Sequence, residues 1–180
     1  MIAKLAMHTG GAEEALSEKE KVLAMNPNDW ATLEWLGNQY KQIGESDKSF
    51  DAFTKLHEHE PTNFAYLDNL FDLSQQLDKS TRSQIALLDK MYSIQPENLR
   101  VVELLADKTG TLKWINAGLK LDSRSGRLNF LKGEFYFRKW QQDTAKQDSV
   151  RALTWYRKAT GDAQWRGNAQ RMIDELDPPL

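Results

Sequence analysis

The chain has 180 residues, 40% of them hydrophobic and 10% aromatic, which is enough apolar side chain for a continuous core and argues against disorder. No apolar run approaches the roughly 20 residues that cross a bilayer, and the absence of cysteine excludes disulfide frameworks, thiolate zinc sites and thiol nucleophiles. The net charge of −2 is unevenly distributed, because residues 1–90 carry nine Lys/Arg against fifteen Asp/Glu and residues 113–171 carry thirteen against five.

Prolines divide the chain at a nearly constant interval. Pro27, Pro61 and Pro96 are separated by 34 and 35 residues, and each follows a stretch with the apolar periodicity of a helix. A proline at such a point ends one helix and allows another to begin. The sequence therefore predicts a repeat whose unit is a pair of helices.

Residues 1–27 predict a repeat that begins partway through its first helix. Gly10-Gly11 is the expected turn, and Ala15 and Val22 precede Pro27 in the second helix. Either the protein opens with a partial helix or the chain is a piece of a longer protein. No secretory signal begins at Met1, which favours the cytoplasm, whereas a fragment of a longer protein could be periplasmic or membrane-anchored.

Residues 28–61 form the clearest unit. Leu33, Leu36, Gly37 and Tyr40 share one face of a first helix, Gly44 marks a turn, and a second helix follows to Pro61. This unit resembles a tetratricopeptide repeat (TPR), in which Ser49 replaces the alanine usual in that family. The matching positions are Leu33, Leu36, Gly37, Tyr40, Phe53, Leu56 and Pro61.

The later units match this pattern less closely. Residues 62–96 have Phe71 and Ser74 in place of the glycine and tyrosine, and residues 97–123 form a shortened unit with a turn at 109–111. In residues 124–160, Leu128, Leu131 and Phe135 are expected to be the apolar positions of the first helix, and the polar stretch 141–148 connects it to the second. That second helix, 152–161, resembles the ending of a Sel1-type repeat, and residues 161–177 form a terminal capping helix.

The resemblance implies one all-α domain, 1–180, in which about five helix hairpins and the capping helix form a right-handed superhelical array. It also implies a protein-interaction scaffold or adaptor, of a kind often found as one segment of a longer bacterial protein. Such a scaffold has no catalytic site, cofactor or metal. His57 and His59 point about 200° apart on a helix, so they cannot share an ion, and most of the six tryptophans are expected in the core.

TPR proteins generally bind their partners on the concave surface lined by first helices. The face opposite the packing residues predicts a groove for an extended or helical partner segment with basic and apolar side chains, and a solvated charged face is the alternative. With Lys4 included, acids outnumber bases on this face five to three, which argues against the family's carboxylate clamp. The predicted groove residues are Glu34, Asn38, Lys41, Asp68, Asp72, Gln75, Arg100, Glu103 and Asp107.

Two other functions are compatible with the charge distribution. The basic C-terminal half could bind an anionic polymer such as nucleic acid, although no nucleic-acid motif accompanies it. Alternatively, the acidic N-terminal part of one chain could dock on the basic part of another, making a homo-oligomer. The basic residues in question are Arg124, Arg127, Arg138, Lys139, Arg151, Arg157, Lys158 and Arg166.

Overall fold

A computed structural model describes residues 2–177, except for the side chains of residues 2–10 and 12. Across that range the chain forms ten α-helices and no strand, so the prediction of an all-α fold is confirmed. The helices are α1 (Ile2–Met25), α2 (Trp30–Ile43), α3 (Ser46–His59), α4 (Phe64–Gln76), α5 (Thr81–Ile94), α6 (Leu99–Thr109), α7 (Leu112–Leu121), α8 (Gly126–Asp143), α9 (Lys146–Ala159) and α10 (Arg166–Leu176).

The contacts divide the chain into two compact units, the first ending at Leu87 and the second beginning at Leu88. In the first unit α1 packs on α2, α2 on α3 and α3 on α4. In the second, α6 packs on α7, α7 on α8, α8 on α9 and α9 on α10. Short connections between packed neighbours make these helix pairs hairpins. The division of the sequence into repeat units of one domain stays a prediction.

The repeat is visible in the residues that begin the first helix of each pair. Asp29, Asn63 and Asn98 each stand two residues after a repeat proline, and each accepts a hydrogen bond from a backbone N–H of the following turn. Ser125 does the same for α8. Such N-caps satisfy N–H groups that have no partner within the helix, and each contributes about 1 kcal/mol. The period of the prolines is therefore also the period of the helix starts.

A residue with a positive φ follows the end of each of these first helices. These residues are Gly44 (φ 82°), Asp78 (φ 47°), Gly110 (φ 60°) and Thr144 (φ 53°). Glycine adopts this left-handed conformation without steric cost, whereas a β-branched residue such as Thr144 rarely does. The left-handed residue directly follows α2, α6 and α8, whereas Leu77 separates it from α4.

The core of the first unit lies where α2, α3 and α4 meet. A Cβ atom added to Gly37 would lie 3.3 Å from both Ala52 and Phe53, so the glycine permits close helix packing. Ser49 is fully buried, and its hydroxyl donates to the carbonyl oxygen of Gly37 at 2.8 Å. The buried cluster comprises Leu33, Ala52, Phe53, Leu56, Tyr66, Leu70 and Leu73.

In the second unit, α8, α9 and α10 surround a cluster of Phe137, Ala152, Tyr156, Ala159 and Ala169. The predicted positions Leu131 and Phe135 are only half-buried, whereas Leu128 is buried as expected. The register differs from the prediction because Gly133, rather than a large side chain, faces the Tyr156 ring across the hairpin.

Two predicted connections are helical instead. Gly10-Gly11 lies inside α1, which is continuous from Ile2 to Met25, so the predicted turn there is wrong. Glycine lowers helix propensity by only about 1 kcal/mol, which does not by itself end a helix. The polar stretch 141–148 is also mostly helical, since α8 runs to Asp143 and α9 begins at Lys146. Residues 141–147 are exposed, and only 144 and 145 lie outside a helix.

None of the helices in the described residues is both long and apolar enough to cross a membrane.

Candidate functional site

The predicted groove residues of the first unit lie on α2 and α4, and we call these six residues the first-helix face: Glu34, Asn38, Lys41, Asp68, Asp72 and Gln75. Glu34 and Asn38 are exposed, one turn apart on α2. The Glu34 carboxylate accepts a hydrogen bond from the Tyr66 hydroxyl of α4 at 3.2 Å, and the Asn38 side chain donates to the Glu34 carbonyl. The hydrogen bond between Tyr66 and Glu34 thus links the two first helices.

Lys41 makes the second link between these helices. Its ammonium donates to the Asn69 amide oxygen at 2.8 Å and lies 3.6 Å from a carboxylate oxygen of Asp72. Asp68 is half-buried, and Gln75 is exposed at the end of α4. The structure therefore brings Lys41 and Asp72 together, as a shared face requires. Lys4 and His8 have side chains outside the described residues.

The three predicted groove residues of the second unit lie on α6. Glu103 accepts a hydrogen bond from the Ser125 hydroxyl at 2.6 Å, and Asp107 forms an ion pair with Arg127 at 3.1 Å. Arg100 is exposed. Both acids thus already have partners near the start of α8.

Sequence reasoning missed the residues that hold these acids and bases in place. Tyr66 and Asn69 lie on α4 and face residues of α2 from 28 to 32 positions earlier in the chain. Ser125 serves both as the N-cap of α8 and as the donor to Glu103. Only the cap role of Ser125 has a local sequence signal, because the other contacts depend on how neighbouring helices pack.

The tyrosines near these acids are hydrogen-bond donors rather than proton-transfer groups. Burial and the charge of Glu34 raise the pKa of Tyr66, and burial together with the hydrogen bond to Glu20 raises the pKa of Tyr40 to about 12. Both hydroxyls therefore stay protonated near neutral pH. The arrangement can recognise polar groups through hydrogen bonds and charge, and it assembles no nucleophile with a base.

The first unit also contains an open cavity of about 390 Å³ between α1, α2 and α3. Its wall is mainly apolar and includes Leu23, Leu33 and Leu36, with Glu20 and Lys48 among the charged lining residues. Tyr40 lines it too, with its hydroxyl donating to Glu20 at 2.6 Å.

The histidines of α3 do not face one another in a ligand cluster. The His59 ring stacks on Trp30, with ring centroids 4.0 Å apart and planes at 10°. Across the described residues, no group of three or more His, Asp or Glu side chains could hold a metal ion.

Four of the eight basic side chains proposed for an anionic polymer form ion pairs within the second unit. Arg127 pairs with Asp107, and Arg157 pairs with Asp177 at 3.0 Å. Lys139 and Arg151 both contact Asp148, a buried carboxylate. Binding of an anionic polymer stays a prediction, but these pairs reduce the positive charge that it would meet.

The fold is similar to those of solved helical-repeat proteins. YrrB, a TPR protein with an unusual peptide-binding site, has a TM-score of 0.67 and 16% identity over 94% of this chain and 88% of its own. A crystal structure of MamA has a TM-score of 0.62 and 18% identity, covering 93% of this chain and 98% of its own. MamA from Desulfovibrio magneticus RS-1 has a TM-score of 0.54 and 18% identity, covering 87% of this chain and 92% of its own.

Identities this low establish the fold alone, and the chain has a TPR-like fold of helix hairpins. The Sel1-type ending stays a prediction. No protein-family model and no curated protein matches the sequence.

Proposed function

We propose that this protein is a non-catalytic interaction scaffold that binds a peptide or protein segment on the first-helix face. The observation that carries the proposal is the pair of polar links across α2 and α4, where Tyr66 holds Glu34 and Lys41 joins Asn69 to Asp72. These contacts hold hydrogen-bonding groups in fixed positions on a packed helical scaffold. Binding costs less entropy when side chains are ordered beforehand.

The charge of this face favours a basic partner. Glu34, Asp68 and Asp72 are acidic, and Lys41 is the one cation among the six residues of the first-helix face. Lys41 also forms an ion pair with Asp72. A partner segment carrying Lys or Arg between apolar residues would complement the acidic character of this face. Similarity to YrrB supports peptide binding by this fold, and Arg100, Glu103 and Asp107 of the second unit are proposed as further contacts.

The experiment is an affinity capture from a lysate of the source cells with the wild-type chain and the Asp68→Lys/Asp72→Lys variant. Retained proteins are identified by mass spectrometry. We expect at least one protein to be held by the wild type and lost by the variant, because reversing two acids turns attraction for a basic segment into repulsion.

A matched control reverses the charge of two exposed acidic residues on α3 of the same unit, in the variant Asp47→Lys/Glu58→Lys. This control has the same net charge as the test variant but leaves the first-helix face intact. Circular dichroism verifies that both variants keep their helix content. If the two variants lose the same proteins, or neither loses any, the first-helix face is not the binding surface.

A further inference from the structure

Helices α7, α8 and α9 of the second unit line an open cavity that the first-helix face does not include. Its volume is about 470 Å³, and it lies beside the second helices of two successive hairpins. Three of its lining residues are lysines, and none is an acid. The lining comprises Asn116, Leu119, Lys120, Ser123, Lys132, Trp155 and Lys158.

Two of these lysines converge on one tryptophan. The ammonium of Lys132 lies 3.9 Å from the centroid of the Trp155 ring, and that of Lys158 lies 4.0 Å from it. Lys132 also donates a hydrogen bond to the Asn116 side chain at 2.7 Å. Trp155 is half-buried, and its indole forms part of the cavity wall.

The lysines of this cavity have no carboxylate partner within residues 2–177. Ion pairs there involve other cations, whereas Lys120, Lys132 and Lys158 make none. Burial and the charge of Lys158 lower the pKa of Lys132. Like charges held close together destabilise each other, and a bound anion would relieve that repulsion.

The geometry favours a compact acidic ligand over a long polyanion. Two ammonium groups already lie over the Trp155 ring, and a nucleic-acid base that stacks on the indole competes with these contacts. Arg127, Lys139, Arg151 and Arg157 pair with carboxylates, which reduces the positive charge that the second unit offers to a phosphate backbone.

We propose that this cavity binds an acidic peptide segment. Carboxylates of the segment pair with Lys120, Lys132 and Lys158, and an apolar side chain between them packs on Leu119 and the edge of Trp155. The amide of Asn116 orients Lys132 for this contact. The site is separate from the first-helix face, so the protein would hold a basic segment on one surface and an acidic segment on the other.

The test is fluorescence anisotropy with the full chain and a short fluorescein-labelled peptide in which glutamate alternates with leucine. We expect the wild type to bind it, and the Lys132→Gln/Lys158→Gln variant to bind at least about tenfold more weakly because two charge-assisted hydrogen bonds are lost. The variant should fold, since removing two mutually repelling charges does not destabilise the unit. A thermal melt equal to or above that of the wild type supports this reasoning.

The control variant is Lys113→Gln/Lys146→Gln, which removes the same charge from exposed positions of the same unit. Lys113 lies 4.2 Å from the Trp114 ring, so the control also removes a lysine–tryptophan contact outside the cavity. We expect it to bind the peptide like the wild type, as should the Asp68→Lys/Asp72→Lys variant.

Three results would overturn the proposal. They are absence of binding by the wild type, equal weakening in the cavity and control variants, and equal affinity for a peptide with glutamine in place of glutamate. A single-stranded oligonucleotide that displaces the peptide from the wild type, and binds more tightly than the peptide does, would assign the cavity to a polyanion instead.

Discussion

The hairpins α2/α3 and α8/α9 have the same plan but differ in tightness. In each, the eighth residue of the first helix is a glycine that faces an aromatic ring of the second helix, Gly37 against Phe53 and Gly133 against Tyr156. A Cβ atom at Gly37 would lie 3.3 Å from its nearest neighbours, whereas one at Gly133 would lie 2.5 Å from the Tyr156 ring. The second hairpin therefore depends much more strongly on its glycine.

The buried polar contacts of the two hairpins also differ, and those of α8/α9 are again the more constrained. In α2/α3 the buried Ser49 makes one neutral hydrogen bond to Gly37, which explains how serine replaces the usual alanine at that position. In α8/α9 the buried Asp148 contacts Lys139 of α8 at 2.7 Å and Arg151 of its own helix at 3.0 Å. The first hairpin tolerates a small polar substitution in its core, while the second relies on a paired charge.

The largest expected effect is that of Gly133→Ala. Tyr156 is fully buried and its hydroxyl donates to Glu134 at 2.6 Å, so the ring has little room to move away from a new methyl group. Overpacking of this kind costs about 1–3 kcal/mol. We expect Gly133→Ala to lower the free energy of unfolding by about 2 kcal/mol, measured by urea denaturation monitored by circular dichroism.

Gly37→Ala is the matched control for that substitution. Its new methyl group needs a shift of only a few tenths of an ångström, and alanine offsets that strain with up to about 1 kcal/mol of helix propensity. We expect a change within about 1 kcal/mol of zero. Equal destabilisation by the two substitutions would show that the hairpins do not differ in tightness.

A smaller effect, visible in the pH dependence of stability, is expected for Asp148→Asn. The hydrogen bond from Lys139, with a further one from Arg151, lowers the pKa of Asp148 below its ordinary value of 3.8. A carboxylate with a lowered folded-state pKa stabilises the fold above that ordinary value, and the contribution is lost as the pH falls further through the folded-state pKa.

The wild type should therefore lose stability below about pH 4 more steeply than Asp148→Asn, which should be less stable at neutral pH. Thermal melts across the acidic range measure both quantities. Parallel pH profiles for the two proteins would mean that Asp148 gains nothing from its partners on folding.

The smallest expected effect concerns the left-handed residues that end the first helices. Thr144 adopts φ 53° and Gly44 adopts φ 82°. Because a β-branched residue is strained in this region, we expect Thr144→Gly to raise the free energy of unfolding by about 1 kcal/mol. We expect Gly44→Ala to lower it by a similar ~1 kcal/mol. Thermal denaturation of the two variants shows whether each substitution raises or lowers the stability. A destabilising Thr144→Gly would contradict the prediction of strain.

Much of the fold could be predicted because its signals are local. The repeat prolines, the caps that follow them and the left-handed glycines act within about one helical turn, which is the range over which sequence determines backbone geometry. The same reasoning failed at Gly10-Gly11 and at 141–148, where glycine and polar residues were interpreted as breaks although both are tolerated in exposed helix.

The candidate site could be predicted only in part. The spacing of Glu34, Asn38 and Lys41 identifies a shared face of α2, because residues three and four apart on a helix are neighbours. Spacing cannot show that Tyr66 and Asn69 reach those residues from α4. Nor does it indicate that Lys132 and Lys158, which belong to different helices, share the ring of Trp155.

The sequence by itself determined the helical class, the repeat period and the residues at which the first helices begin, since each depends on the backbone conformation of a few adjacent residues. Tertiary structure alone decided that Asp148 is buried between two cations, that Gly133 faces Tyr156, and that the cavity lysines lack a carboxylate partner within residues 2–177. These features arise from side chains on different helices, and their distances depend on packing that no local pattern specifies.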